Sequence, residues 1–261
     1  MIKPHIHIPY GRIYEFIDII KNERLDLEIY FDAKSLDSIT DEDILKLKKA
    51  LSYKPSLSFH APFMDLSPGA IDSKVKNITI ERFGQMFDIA EKLLPKAIVF
   101  HSGYDKWKYA FKVNVWLEES IFTWSKLLPR AESLNVKIAI ENIFEEEPES
   151  LQSLMKAINS PYFGVCFDTG HFNLFSKKSL EEWMSYLNNY VVEFHLHDNH
   201  KKFDEHLAIG EGFFDFDKLF KINKCRNCIY TIETHSVENV FKSIKRFNEY
   251  LNKSEILEET L

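Results

Sequence analysis

FGVCFDTGH, residues 163–171, sets an aspartate at the end of an apolar run and a histidine three residues later. The run is short, bounded by a Gly-containing turn, and reads as a buried strand delivering Asp168 and His171 to its C-terminal end. The same pattern recurs on both sides. SLSFHAPF ends its run at His60, AIVFHSG at His101, KIAIEN at Glu141, VEFHLHD at His195 and YTIETH at Glu233. Asp204 and His206 follow in the loop segment DEH. Strands that end repeatedly in imidazole or carboxylate aim those groups at one place. In a parallel barrel that place is the C-terminal mouth, where active sites are built.

Candidate strands fall at residues 5–8, 25–31, 56–60, 97–101, 137–141, 163–168, 191–197 and 229–234. Amphipathic helical stretches lie between them at 13–21, 43–51, 75–94, 111–134, 180–190 and 237–251, with a short helix after Phe216. Asp41 and Glu42 suit the N-terminal end of the second stretch, and Pro129 predicts a kink or break in the fourth. Strands alternating with helices imply parallel βαβ units. Eight units predict the α/β class and a (β/α)₈ TIM barrel, with residues 1–261 as one domain; no Pro/Gly/Ser linker divides them.

Residues two apart on a strand share a face. One step below the proposed ligands, facing inward, come Ser58, Val99, Ala139, Cys166, Glu193 and Thr231. Most are small enough to fill a barrel interior. Phe59, Phe100, Ile140, Phe167, Phe194 and Ile232 face outward, toward the helix ring. Glu193 is the exception, an inward carboxylate that needs a cationic or hydrogen-bonding partner.

Composition sets mild bounds. No run of eighteen apolar residues appears, which argues against a membrane span. The start, MIKPHIHIPYGR, lacks the apolar region of a secretory signal, and three cysteines fit a reducing cytoplasm. The net charge of −7 argues weakly against nucleic acid, but Glu141, Asp168, Asp204 and Glu233 supply four of those negative charges at the proposed site.

His60, His101, His171, His195 and His206 together with those carboxylates form a donor set suited to borderline ions such as zinc or manganese. On these segments the chain resembles the xylose-isomerase-like barrel superfamily, and within it the endonuclease IV-type apurinic/apyrimidinic endonucleases. HAPF, FHSG, IEN, GVCFDTGH, HLHD, DEHLAIGEG and IET carry the resemblance, from the third strand to the eighth. It implies up to three divalent ions. One would be held by Glu141, Asp168, His195 and Glu233, a second by His60, His101 and shared Glu141, a third by His171, Asp204 and His206. The chain departs from the nuclease pattern at Phe63 and Leu66, in DTGH where that pattern has DTCH, and in HLHDNH. There it is more similar to relatives labelled sugar-phosphate isomerases or epimerases.

Three functions follow. Phosphoester hydrolysis explains a need for several ions, which together activate water and neutralise phosphate oxygens, with Glu141 and Glu233 as the central catalytic carboxylates. A sugar or sugar-phosphate isomerase or epimerase needs one ion, held by Glu141, Asp168, His195 and Glu233, and leaves the remaining ligands to bind substrate. A non-catalytic metal-binding barrel is the third. The residues favour the hydrolase, acting on a small anionic or phosphorylated substrate or on abasic DNA. Lys34, Lys106, Lys108, Lys201 and Lys202 are the expected mouth lysines, set beside the acidic run 145–147. His7 and His197 point inward as supporting or substrate-binding groups, and Trp107 and Lys201 are candidates for substrate contact. Cys225 and Cys228 have CxxC spacing but precede the eighth strand, about 16 Å of extended chain from Glu233, and read as structural.

Overall fold

The eight runs form one closed barrel of parallel strands paired in chain order. The computed structural model describes residues 2–223, 225 and 227–259. The strands are β1 (His5–Pro9), β2 (Asp26–Tyr30), β3 (Leu57–His60), β4 (Ala97–His101), β5 (Lys137–Glu141), β6 (Phe163–Asp168), β7 (Val191–Leu196) and β8 (Ile229–Ile232). Around them run α1 (Ile17–Asn22), α2 (Ala33–Ser38), α3 (Asp41–Ala50), α4 (Ser73–Leu93), α5 (Val113–Leu134), α6 (Glu149–Ile158), α7 (Thr169–Phe175), α8 (Leu180–Leu187), α9 (Phe216–Ile222) and α10 (Val237–Glu259).

Strand alternation sorts the core into two parts. Phe59, Phe100, Ile140, Phe167, Phe194 and Ile232 are fully buried between strands and helices. Val99, Ala139 and Cys166 form a small apolar cluster inside the barrel. Register then levels the strand ends: His101 pairs with Glu141 and Asp168 with His195. The β6–β7 register shifts between Val165 and Cys166. Gly164 lies beside that irregularity, where a Cβ would come within 2.3 Å of the Tyr190 carbonyl oxygen.

Local signals explain several helix boundaries. Thr40 and Asp43 form a reciprocal capping box on α3, with Asp41, Glu42 and Asp43 in its first turn. Three differences from the sequence expectation stand out. The stretch expected as a helix over 13–21 is split into a 3₁₀ segment, Tyr10–Glu15, and a six-residue α1 whose N-terminus has no side-chain cap. Helices α2, α6 and α7, unassigned from sequence, are present; α6 starts after Pro148 without a side-chain cap, which removes its N-terminal signature. The break expected at Pro129 does not occur, and α5 continues to Leu134. Proline deletes one amide donor, but Trp116, Trp124, Leu127 and Ala131 bury the helix on both sides of it. Among the described residues, no helix is long and apolar enough to cross a membrane.

Candidate metal centre

All nine predicted ligands meet at the C-terminal mouth. Seven of them, His60, His101, Glu141, His171, Asp204, His206 and Glu233, line a single cavity of about 1030 Å³, with Asp168 and His195 fully buried beneath. Ligand atoms of His60, His101 and Glu141 lie within 4.8 Å of one another, as do those of Asp168, His195 and Glu233, and those of Glu141, Asp168 and His171.

Glu141 joins these groups through its two oxygens. Its Oε2 faces His60 Nε2 at 3.1 Å and His101 Nε2 at 3.5 Å. Its Oε1 faces His171 Nδ1 at 3.0 Å and His195 Nδ1 at 3.7 Å. Asp204 draws the third group together: its Oδ2 is 3.3 Å from His171 Nε2 and 2.9 Å from His206 Nε2. Asp168 is divided in a different way. Its Oδ1 caps α7 by accepting from the His171 amide at 2.6 Å, while Oδ2 points to His195 Nδ1 at 3.7 Å.

Each of four imidazoles spends one nitrogen on a fixed acceptor and turns the other inward. His60 Nδ1 donates to the Ala61 carbonyl at 2.8 Å, His171 Nδ1 to the Asn142 carbonyl at 3.1 Å and His206 Nδ1 to the Glu233 carbonyl at 3.1 Å. His195 Nε2 donates to Glu28 Oε2 at 3.0 Å. Carbonyl and carboxylate oxygens only accept, so in the neutral rings these bonds fix the tautomers and turn the lone pairs of His60 Nε2, His171 Nε2, His206 Nε2 and His195 Nδ1 toward carboxylates, where a cation or a proton can bind.

This arrangement fits bound cations. His195 Nδ1 and Glu233 Oε2 are 3.1 Å apart, yet both are buried acceptors without a hydrogen-bond partner, as is Asp204 Oδ1. Converging lone pairs of this kind are stable only around positive charge. Protons compete with cations for the same lone pairs, so carboxylates placed to share a cation also favour imidazolium. Burial would raise the Glu141 carboxyl, but the imidazoles of His101, His195 and His171 hold it well below the ordinary value. Burial opposes protonation of His206, yet its bond to Asp204 and the charge of Glu233 push it up to about 9. Burial takes His101 down to about 3, so it is a neutral donor.

Glu28 is the functional residue that sequence reasoning missed. It is fully buried and takes His7 Nδ1 at 2.8 Å as well as His195. Burial would raise its carboxyl, but the two imidazoles hold it well below the usual range. The signal was available: in DLEIY, Glu28 alternates inward as Glu193 does. Asn142 also supports the site, donating to the Asp168 carbonyl at 3.1 Å and accepting from its amide at 2.9 Å.

His197 and Gly170 explain each other. His197 Nε2 donates to Asp168 Oδ2 at 2.9 Å, and its ring stacks on His206 with centroids 4.1 Å apart. A Cβ at position 170 would sit 2.1 Å from the His197 ring. The glycine of DTGH and the second histidine of HLH are therefore one coupled change. Phe63, another departure, stacks on His101 at 4.1 Å.

The expected substrate contacts fare unevenly. His7 lines the cavity, whereas Trp107 and Lys201 do not. Trp107 is 70% exposed and packs on Phe111; Lys201 is exposed. Among the described residues Lys108 is the only lysine of the cavity lining, and Lys106 is paired with Glu146. Within the acidic run, Glu145 turns inward, where burial pushes its carboxyl up to about 7 against bonds from Ser102 and Ile143. Cys225 Sγ donates to the carbonyl of Val191, the first residue of β7, at 3.5 Å. That contact fixes the cysteine pair at the far end of the barrel.

The pattern described as "Xylose isomerase-like TIM barrel" matches residues 25–251. This chain belongs to that family. The uncharacterized protein MJ1311 of Methanocaldococcus jannaschii is 31% identical over 212 residues, 76% of this chain and 71% of that protein. A probable endonuclease 4 of Mycoplasma mobile is 33% identical over 135 residues, 44% of this chain and 48% of that protein. The crystal structure of a D-tagatose 3-epimerase-like protein superposes with a TM-score of 0.78 at 24% identity, covering 98% of this chain and all of that one; at that identity the likeness concerns the fold. The names of these similar proteins point in two directions, one to an endonuclease and one to an epimerase-like protein.

Proposed function

We propose that this chain is a metal-dependent phosphoester hydrolase acting on a small substrate. The divided carboxylate of Glu141 carries the reading. One oxygen serves the His60–His101 group and the other faces His195 Nδ1, an arrangement suited to bridging two cations. Asp204, His171 and His206 would hold a third. An isomerisation needs one cation and gives no reason for this sharing.

Divalent zinc or manganese bound there would neutralise phosphate oxygens and acidify a water molecule. The protein residues do the rest. Glu141 and Glu233 accept hydrogen bonds from the attacking water and orient it in the cavity. His195 stays fixed because Glu28 holds its Nε2, and His7 in turn holds Glu28. Asp204 and His206 lie at the outer side, next to the leaving oxygen. Arg12 and Lys108 are the only permanently cationic side chains among the described cavity residues, which suits a small phosphoester better than abasic duplex DNA, whose affinity depends on many phosphate contacts.

Elemental analysis of protein purified without chelator, beside assays on phosphomonoesters, phosphodiesters, an abasic duplex and a panel of sugar phosphates, tests the proposal. Two or three ions per chain with phosphoester hydrolysis is the expected result. One ion with ketose–aldose interconversion or epimerisation would overturn it. That second reading draws on the compact group Asp168, His195 and Glu233, which with Glu141 could serve a single ion.

A further inference from the structure

The ligand set lines one part of its cavity. The total volume, about 1030 Å³, is at the upper end of the roughly 300–1,000 Å³ found for small-molecule sites. Ile6, Ile8, Ile19, Leu27, Val240 and Phe241 line another part of it. Ile6, Ile8 and Leu27 alternate with inward His7 and Glu28, so they face away from the barrel axis. The cavity therefore has a second lobe, outside the barrel wall, roofed by α1 and α10.

The lobe has a physical origin. Helix α1 has six residues, against 21 in α4 and 22 in α5. At about 1.5 Å per residue it is about 9 Å long, too short to cover β1, whose five residues extend about 16 Å. The outward residues Ile6, Ile8 and Leu27 are buried but not packed tight, and the space beside them is continuous with the mouth. None of the six lobe residues has a hydrogen-bonding side chain, so sugar hydroxyls would lose their water there without replacement. Arg12, at the cavity margin, is already paired with Glu15 at 3.0 Å.

We infer that the substrate is amphiphilic: a phosphate ester whose oxygenated end binds among the metal ligands and whose alkyl or aryl group enters the lobe between β1 and α10. The inference rests on the hydrolase reading for the head of the molecule, and on the apolar lobe for the tail. Burying one methylene is worth about a fourfold gain in affinity.

Straight-chain alkylphosphonates, from methyl to octyl, test the tail without chemistry, because their P–C bond is not hydrolysed. Calorimetric titration of the metal-loaded protein should show Kd falling about fourfold per methylene between butyl and octyl. Val240→Trp, at a half-exposed position of α10, should bring the octyl-to-butyl ratio close to one by filling the lobe. Should that variant fail to fold, Ile19→Trp, on half-exposed α1, reads the same ratio. Equal Kd values across the wild-type series overturn the inference, and so does a chain-length gain that the tryptophan substitution leaves intact. A gain abolished by tryptophan, with no hydrolysis of the matching alkyl phosphoesters, keeps the apolar subsite and overturns the hydrolase reading. Hydrolysis of methyl esters without any chain-length gain does the reverse.

Discussion

Two buried polar clusters share the barrel strands, one at the floor and one at the mouth, and their bonding differs. At the floor, His5 Nδ1 meets the Ser58 hydroxyl at 2.8 Å and His5 Nε2 meets Ser56 at 2.9 Å. The Ser58 hydroxyl donates in turn to Glu193 Oε1 at 3.0 Å, and Thr231 donates to the same oxygen. Donors face acceptors, and the floor oxygen without a partner, Glu193 Oε2, belongs to a carboxyl whose pKa burial raises to about 8, so the floor is a neutral structural network. At the mouth, by contrast, His195 Nδ1, Glu233 Oε2 and Asp204 Oδ1 are left without partners, and ligand atoms of His195 and Glu233 converge with one of Asp168. Burial and polarity are common to both; only the mouth sets several ionisable ligand atoms together in the way a cation site does. Glu28, Glu193 and His195 also converge within 4.8 Å, but Glu28 is already bonded to His195 Nε2 and His7, so this group links the floor to the mouth without adding a ligand set of its own.

The sharpest way to break this contrast is Glu141→Ala. It removes the carboxylate whose two oxygens face the His60–His101 pair and His195, and should cost at least one ion per chain and about a thousandfold in hydrolysis. Cys228→Ala, at the other end of the barrel, should leave both near wild type; equal effects would contradict the assignment. The double substitution Asp204→Asn with His206→Ala comes next. One ion per chain should be lost and hydrolysis should fall about a hundred- to a thousandfold. Full metal content in that variant would favour the single-ion isomerase. Glu28→Gln is milder, since it keeps the shape but releases the charge that orients His195. Metal affinity should fall about 10- to 100-fold, as is usual for such supporting groups, read by competition with a chelator; unchanged affinity would remove Glu28 from the site.

Much of this was legible in the chain because two simple periodicities coincide. Inward-facing residues recur every second position, and each strand stops at the same height, so His60, His101, Glu141, Asp168, His195 and Glu233 announce a common mouth. The outward series from Phe59 to Ile232 was readable for the same reason. What escaped depends on contacts between distant segments. Glu28 gains its role from His195, 167 residues away. Pro129 is tolerated because buried Trp116, Trp124 and Leu127 before it and Ala131 after it hold α5 against the rest of the fold, which a local rule does not register. Trp107 is near the mouth in sequence but lies on its rim, because the loop after β4 turns its ring onto Phe111. The apolar lobe was invisible for a further reason: it arises from how short α1 is relative to β1.

The smallest predicted effect tests whether the floor is as neutral as its bonding suggests. Burial, reinforced by the charge of Glu28, pushes the Glu193 carboxyl from 4.5 up to about 8. Between those two values the folded protein keeps a proton that the unfolded chain has released. Stability attributable to this group is therefore fully present below 4.5 and is lost as pH rises through 8. Glu193→Gln supplies a neutral group of the same shape and removes that titration. Urea unfolding of metal-loaded wild type and variant should show wild type at its relative best near pH 5, with the difference shifting steadily toward the variant up to pH 8. Metal content and hydrolysis should change little, since Glu193 lies a layer below the ligands. A difference in stability independent of pH would mean that Glu193 is ionised in the folded protein, and the floor would then need a counter-charge of its own, as the mouth does.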